Sequence, residues 1–375
     1  MGGLCQLAER REITLYGGDG MFVAIDDAGQ RIQLDAHDQA TALQVTGTVC
    51  RCPVCHAELI IRNGQVLPAH FAHRAGSDCV VGEPESRDHM VGKHLLATWA
   101  RAAGWQADFE VYLPAVKQRA DVLLHRGDAV QALEFQCAPL SVQRLAERTA
   151  GYAQLGLPVQ WLLGPRYVGQ QPGPATAKFE TWSATRGREL RFVDPHTRHM
   201  WAWWGLTNAG WNVEQLAPNA RPARWHAQST SGVSTARQIL QALAYRDRDT
   251  MAVQALCYQR GVHLAGCPVV VHQQLSGVPG LQTKEWLLRV RWLLDFWAVP
   301  TWTVAGMTHW WMDYVVGARV PLMGGRQVAA LAADAWLAAL VAGDYVTVDG
   351  QQLRWCQWPT WFADGDRKLA AIHER

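Results

Sequence analysis

Asp121, Glu134 and Gln136 are polar residues set in two runs of β-forming sequence, Arg119 to Leu124 and Val130 to Cys137, joined by the short turn His125-Arg126-Gly127-Asp128. A turn of that length makes the runs a hairpin, so Asp121 lies beside the strand that carries the other two. Side chains alternate along a strand, which puts Glu134 and Gln136 on one face and Leu133 and Phe135 on the other. Two carboxylates at neighbouring strand positions repel, and a hard divalent cation such as Mg²⁺ or Mn²⁺ neutralises them through oxygen ligands. Asp121, Glu134 and Phe135 are the positions expected to hold that ion. A cation held there activates water and stabilises the charge that builds on a phosphodiester under attack.

Flanking elements must position these residues. Glu85, His89 and Lys93 recur every four residues in the segment from Pro84 to Trp99, an amphipathic helix with proline in its first turn; they share its polar face while Met90, Leu95, Leu96 and Trp99 turn inward. A further β-prone run, Phe109 to Leu113, precedes the hairpin. After it, Ser141 caps a helix that runs to Leu155 and stops at Gly156. Arg144, Arg148 and Tyr152 share one side of that helix. Arginine forks match phosphate oxygens, which makes these residues candidates for binding a substrate backbone; the alternative is a solvated face with Glu147 as partner. Residues 158–164 then supply a short buried strand.

A separate constellation precedes the helix. Cys52-Pro53-Val54-Cys55 is followed by Leu59-Ile60-Ile61, an Asn63-Gly64 turn and His70-Phe71-Ala72-His73, the order of a knuckle, a hairpin and a second pair. Zinc takes four nitrogen or sulfur ligands in a tetrahedron, so Cys52, Cys55, His70 and His73 are the expected ligands of a structural Zn²⁺, with Cys79 or Cys50 as substitutes. Ordinary buried cysteines and surface histidines are the alternative. Four protein ligands leave no position for water, so the site would stabilise a small module, not catalyse.

Hydrophobic residues make up 49% and charged residues 18% of the 375, which excludes wholesale disorder and leads us to expect an α/β (α+β) chain of several domains. The expected division is a β-hairpin segment at 1–49, with strands at Ile13 to Tyr16 and Met21 to Ile25; a zinc-ribbon-like module at 50–82; a mixed α/β unit at 83–167; a Trp-rich connecting region at 168–235; and a helical, winged-helix-like end at 236–375. Turn-rich sequence at 164–174 suggests a boundary near 165–175. Helical patterning returns at Ala236 to Tyr245, Lys284 to Trp297 and Arg326 to Ala342, and the last helix leads through Tyr345 to Val348 and an Asp349-Gly350 type I′ turn to a second strand. Of the 19 Trp, 17 fall at or after Trp161, a distribution read as packing in preference to base stacking. Charge runs from −3 over residues 1–82 through −1 over 83–165 to +6 over 166–375, a surplus that permits nucleic-acid binding without demonstrating it. No long apolar run and no basic, apolar leader is present, so a cytoplasmic protein without a membrane partner is expected.

The order C-x2-C, His-Phe-Ala-His, Glu-Ser-x2-His-x3-Lys, Arg-Ala-Asp-Val, Glu-Phe-Gln, Glu-Arg-x3-Tyr and Trp-Leu-Leu-Gly over residues 50–165 resembles the CoiA-type competence proteins, whose central domain belongs to the PD-(D/E)XK nuclease superfamily. The resemblance implies that Asp121 and Glu134 are the metal carboxylates, Glu85 the acid of the leading helix, and Gln136 the occupant of a place where many superfamily members have lysine. A neutral amide orients water but supplies no positive charge, so Lys93 is the expected replacement, with His89 beside it. Implied also are DNA, single-stranded DNA included, as substrate, and recombination or competence proteins as partners. The competing expectation is a nuclease-fold scaffold that binds DNA and recruits recombination proteins without hydrolysis. A transcriptional regulator working through the winged end is a third, and it leaves the acids unexplained.

Overall fold

Short β-branched runs punctuated by glycine and acidic turns build the N-terminal part of the chain in a computed structural model that describes residues 20–74, 79, 85–169, 171–228 and 232–373. The strand expected at Ile13 to Tyr16 lies outside the described residues. The chain divides into two compact units, Met1–Phe135 and Gln136–Arg375.

In the first unit, β1 (Gly20–Met21), β4 (Leu59–Arg62) and β5 (His70–His73) form a three-stranded sheet in the order β1-β5-β4, beside a hairpin of β2 (Val23–Ile25) and β3 (Arg31–Gln33). Helix α1 (His37–Thr46) ends on Gly47 at φ 66°, a left-handed cap that glycine adopts without strain. Met21, Ala24, Leu34, Leu59, Ala69 and Phe71 form the core of this module. The expected Asn63-Gly64 turn is not a two-residue hairpin, because the strands it joins are separated by residues 63–69.

Helix α2 (Arg87–Ala102) begins at Ser86, whose side chain accepts the His89 backbone N–H at 3.2 Å. Glu85 therefore precedes the helix cap, where the sequence pattern had placed it in the first turn. The helix packs on three antiparallel strands, β6 (Gln106–Leu113), β7 (Gln118–Arg126) and β8 (Ala129–Gln136). Contact is close because Gly92 faces the strand: a Cβ there would sit 1.9 Å from the Phe135 ring. The N-terminal module braces β6. Phe22 stacks on Phe109 at 4.4 Å, and the Gln33 side chain accepts the Phe109 N–H at 2.9 Å and donates to the Ala107 carbonyl at 3.1 Å.

In the second unit, Ser141 caps α3 (Val142–Gln154) by accepting the Arg144 N–H, as its sequence requires. Strand β9 (Val159–Leu163) pairs in parallel with β11 (Gly187–Asp194), to which β10 (Thr181–Ser183) is added. β12 (His199–Thr207), β13 (Gly210–Ala217) and β14 (Arg221–Ala227) follow as an antiparallel meander. The turn-rich stretch near 165–175 is thus a connection within one sheet, and the Trp-rich region 168–235 is largely strand. Trp203 and Trp211 pack with Phe192 in its core.

Helices α4 (Gly232–Ala244), α5 (Arg248–Gln259) and α6 (Glu285–Asp295) follow, then β15 (Thr301–Thr303), α7 (Val304–Met312), α8 (Gly325–Ala342), β16 (Val346–Asp349), β17 (Gln352–Trp355) and α9 (Gly365–His373). The helix-then-hairpin outline is present and gains a third strand, giving the order β15-β17-β16. Its turn differs from the expected type I′. Asp349 pairs with Gln352, so the loop is Gly350-Gln351 with Gly350 at φ 57°, glycine leading as in a type II′ turn. Trp286, Trp292, Trp302, Trp311 and Trp336 fill the helical core, in line with packing as the dominant role of Trp. Among the described residues no helix is long and apolar enough to cross a membrane.

Candidate active site and metal centre

The register of the strands places three acids in a row. Phe109 pairs with Val122 and Val111 with Ala120, so Glu110 falls opposite Asp121; Val122 pairs with Leu133, so the next position sets Asp121 opposite Glu134. The β7–β8 ladder stops at that point. Asp121 Oδ2 instead accepts the Phe135 backbone N–H at 2.9 Å, so the carboxylate takes the place of a main-chain acceptor as the strands part. Glu110 adopts φ 53°, a left-handed conformation that a residue with a Cβ reaches at a cost of about 1–2 kcal/mol. The surrounding bonds hold it there: its Oε2 accepts the Phe22 N–H at 3.2 Å, and its Oε1 accepts from Lys93 Nζ at 2.7 Å.

From α2, His89 bridges two acids, with Nε2 3.2 Å from Asp121 Oδ2 and Nδ1 3.3 Å from Glu85 Oε2. Lys93 Nζ lies 2.6 Å from Glu85 Oε2, and Arg119 Nη2 is 3.5 Å from Glu85 Oε1. Burial by itself lowers the His89 imidazole, but the Asp121 and Glu85 carboxylates outweigh it and raise the ring to about 10. Burial likewise raises Glu85, and the Lys93 ammonium with the His89 hydrogen bond overcomes it, holding the carboxyl at about 2. Lys93 is raised despite complete burial, by Glu110 first and Glu85 next. In this arrangement His89 carries a proton and the acids are balanced by the chain's own cations.

Of the residues singled out in the sequence, the fold therefore brings Glu85, His89, Lys93 and Asp121 into one bonded cluster. Glu134 is adjacent in register and 1% exposed. Lys93 does not take the role expected for a replacement of the superfamily lysine. It is fully buried and bonded to two carboxylates, so it holds acids in place and does not reach a phosphate. Gln136 ends β8, and its amide donates to the Ala138 carbonyl. On α3, Arg144 is exposed and pairs with Glu147 at 3.4 Å, while the Arg148 guanidinium lies 5.7 Å from the Trp161 ring. Tyr152 is completely buried, drawn inside by the apolar side of α3, which removes it from the surface role expected of it. Glu110 and Arg119 were not anticipated. The available signal was an acid between Phe109 and Val111, opposite Asp121 once the strands are aligned.

The second constellation is assembled differently. Cys52, Cys55, His73 and Cys79 place their ligand atoms within 4.8 Å of one another, and among the described residues no other group of three or more His, Cys, Asp or Glu does so. Cys52 Sγ is 4.0 Å from Cys79 Sγ, and Cys55 Sγ is 3.4 Å from His73 Nε2. Tetrahedral zinc with bonds of about 2.3 Å separates its sulfur ligands by about 3.8 Å, so these donors fit the ion. His70 is not a ligand. It stands three residues from His73 on β5, and an odd spacing on a strand turns the two rings to opposite faces; its Nδ1 bonds the Pro68 carbonyl instead, and Cys79 fills the fourth corner. Cys50 is buried outside the group, its thiol directed to the Thr48 carbonyl. At Cys55 the penalty of burial is overcome by hydrogen bonds from the Ala57 backbone and His73, and the thiol falls to about 7, where the thiolate that metals require is accessible. This Cys3His group is able to hold zinc.

Residues 85–204 match the family model described as the nuclease-like domain of competence protein CoiA, and residues 34–82 match that of the CoiA N-terminal domain. Competence protein CoiA of Bacillus subtilis (strain 168) is 35% identical over 114 residues, which cover 30% of this chain and 31% of that protein. No solved structure matches. The nuclease-like match extends past residue 167, in agreement with the continuation of the sheet through β11 and β12. Residues 34–204 thus resemble the CoiA family of competence proteins through two matched domains, one with a Cys3His group and one with an acid-lined strand junction.

Proposed function

We propose that the protein is a divalent-metal-dependent deoxyribonuclease that acts on DNA, single-stranded DNA included, during competence or recombination in the cytoplasm. The observation that carries this reading is the Glu85–His89–Asp121 chain of contacts ending where β7 and β8 stop pairing, beside Glu134. Asp121, Glu134 and the Phe135 carbonyl would hold Mg²⁺ or Mn²⁺, which is content with one or two protein carboxylates and otherwise water. When bound, the ion supplies an activated water and charge stabilisation for phosphodiester hydrolysis. Glu85 and His89 orient Asp121, and the Gln136 amide would have to exchange its bond to the Ala138 carbonyl in order to orient water. Arg144 and Arg148 are the candidates to bind phosphates. The Cys3His group holds a structural Zn²⁺ in the N-terminal module. The domain division proposed is a module to about residue 82, a nuclease-like domain from 83 that extends beyond 167 to about 204, and the helical end.

One observation favours a second reading. The cations His89, Lys93 and Arg119 already neutralise Glu85, Glu110 and Asp121, as in a fold kept for DNA binding and for recruiting recombination or competence proteins. Incubation of pure protein with linear, circular and single-stranded DNA in Mg²⁺ or Mn²⁺, beside Asp121→Ala and Glu134→Ala, separates the two. Metal-dependent cleavage lost in both variants is expected. Cleavage that survives both removes the assigned site, and no cleavage on any substrate supports the scaffold.

A further inference from the structure

The C-terminal region carries an open aromatic cleft that the proposed active site does not use. Residues 297–301, which run from the turn after α6 to the first residue of β15, face Arg354, Trp355 and Trp358 across a space of about 580 Å³, within the range of about 300–1,000 Å³ that small-molecule sites occupy. Three indoles form a stair along it. Trp355 and Trp358 stack with centroids 4.2 Å apart and planes 29° apart, and Trp297 continues on Trp358 at 5.5 Å and 29°. The inner step is fixed to the core, since Trp355 packs on Trp302 at 4.9 Å and on Trp292 at 5.8 Å. The middle step, Trp358, is the most open of the three: it is 40% exposed, whereas Trp297 and Trp355 are half-buried and Trp292, Trp302 and Trp336 are buried. Burying an indole is strongly favourable, so leaving this one at the mouth of a cleft sets it apart from the packing majority.

Charge narrows what fits. Arg354 is the one charged residue among those lining the cleft, and among the described residues it has no ion-pair partner. A cationic ligand would be repelled by it, and a neutral proline-rich segment would gain from the indoles but nothing from the guanidinium. A flat heteroaromatic ring attached to an anion uses both features, stacking on Trp358 while Arg354 meets the phosphate. In a duplex the bases are stacked on one another and present only their edges, so the indole faces are accessible to unpaired bases alone.

We propose that this cleft binds single-stranded DNA, with one base on Trp358 and the adjoining phosphate on Arg354. The inference rests on the reading of the protein as one that acts on DNA, yet the two fail separately. Binding to the cleft is read without hydrolysis, and hydrolysis is read at Asp121.

The test is a titration of the full-length Asp121→Ala protein with a fluorescent oligothymidylate in Mg²⁺-free buffer, at several salt concentrations, alone and with Trp358→Ala, Trp358→Phe, Arg354→Gln or Trp182→Ala added. Trp182 serves as a comparison because it is 39% exposed on β10 and is not among the residues that line the cleft. Loss of one base stack is expected to weaken binding about 5- to 100-fold in Trp358→Ala. Trp358→Phe should recover part of that loss. Arg354→Gln should reduce the slope of log K against log salt by about 0.7. Trp182→Ala and binding to duplex DNA should be unaffected by comparison. Equal affinity of Trp358→Ala and its parent, with unchanged circular dichroism, overturns the proposal, as does a loss of the same size in Trp182→Ala. Binding of a proline-rich peptide that Trp358→Ala abolishes, with oligothymidylate binding intact, overturns it in favour of a peptide site. If wild-type protein cleaves DNA while these cleft variants bind normally, the cleft proposal fails and the nuclease reading stands.

Discussion

The Cys3His group and the cluster around Asp121 both gather metal-type ligands, and they differ in what already balances them. At the first, two sulfur–sulfur and sulfur–nitrogen contacts of 4.0 and 3.4 Å set donors at tetrahedral spacing with no cation of the chain among them. At the second, every acid in the bonded cluster has a protein cation against it: His89 on Asp121, Lys93 and Arg119 on Glu85, and Lys93 on Glu110. An ion would complete the first arrangement, because the module around it has a small core and its thiols repel as they ionise. The second is electrically complete as it stands. A metal at Asp121 therefore competes with His89, while zinc at Cys52 competes only with protons.

The largest effect should come from breaking the first site. Cys52→Ser or a strong chelator should remove one zinc per chain by elemental analysis. The N-terminal module should then become protease-sensitive, since such sites contribute about 10–16 kcal/mol in isolated zinc-binding peptides. Protein that contains no zinc and melts identically with and without chelator would end this side of the comparison.

Next in size is the buried ammonium. Lys93→Met leaves Glu85 and Glu110 without their shared cation and should cost about 3–5 kcal/mol in denaturant unfolding, with zinc content unchanged. A loss below about 1 kcal/mol would show that water or another group replaces the ammonium. Smaller again is Gly92→Ala, which pushes a Cβ into the Phe135 ring and should cost about 1–3 kcal/mol by the same measurement, raising the unfolding rate.

The pH profile is the gentlest probe of the second site. His89 is raised on folding, so the stability it contributes is complete below its ordinary 6.5 and is lost as pH climbs toward about 10. Glu85 is depressed, so its contribution is complete above its ordinary 4.5 and is lost as pH falls toward about 2. With catalytic metal ions withheld, His89→Gln should flatten the alkaline decline and leave the acid limb in place. An unchanged alkaline limb would mean that His89 is not the protonated bridge.

Much of the architecture was legible because it depends on neighbours a few residues apart. Ser86 and Ser141 cap helices because a hydroxyl three residues before an exposed N–H can bond it, and the C-x2-C spacing brings the Cys52 and Cys55 thiols together as a knuckle able to hold a metal. The β7–β8 hairpin follows from a short turn between alternating runs. Where the local pattern misled, a longer constraint decided. A four-residue repeat put Glu85 in the helix, but the cap at Ser86 excludes it. The spacing of His70 and His73 suggested a ligand pair, but both lie on one strand, whose pleat separates them.

The sequence alone determined which residue types were available and the local elements that carry them: acids on paired strands, a basic and acidic helix before them, and a Cys/His knuckle. Only the tertiary structure decided which of them meet. The Phe22 N–H reaches Glu110 across 88 residues, and Lys93 joins Glu110 to Glu85 across the α2–β6 contact. Periods of 2 and 3.6 residues can be read from a string, whereas the burial that makes an ammonium or an imidazolium hold two carboxylates exists only after distant segments have packed.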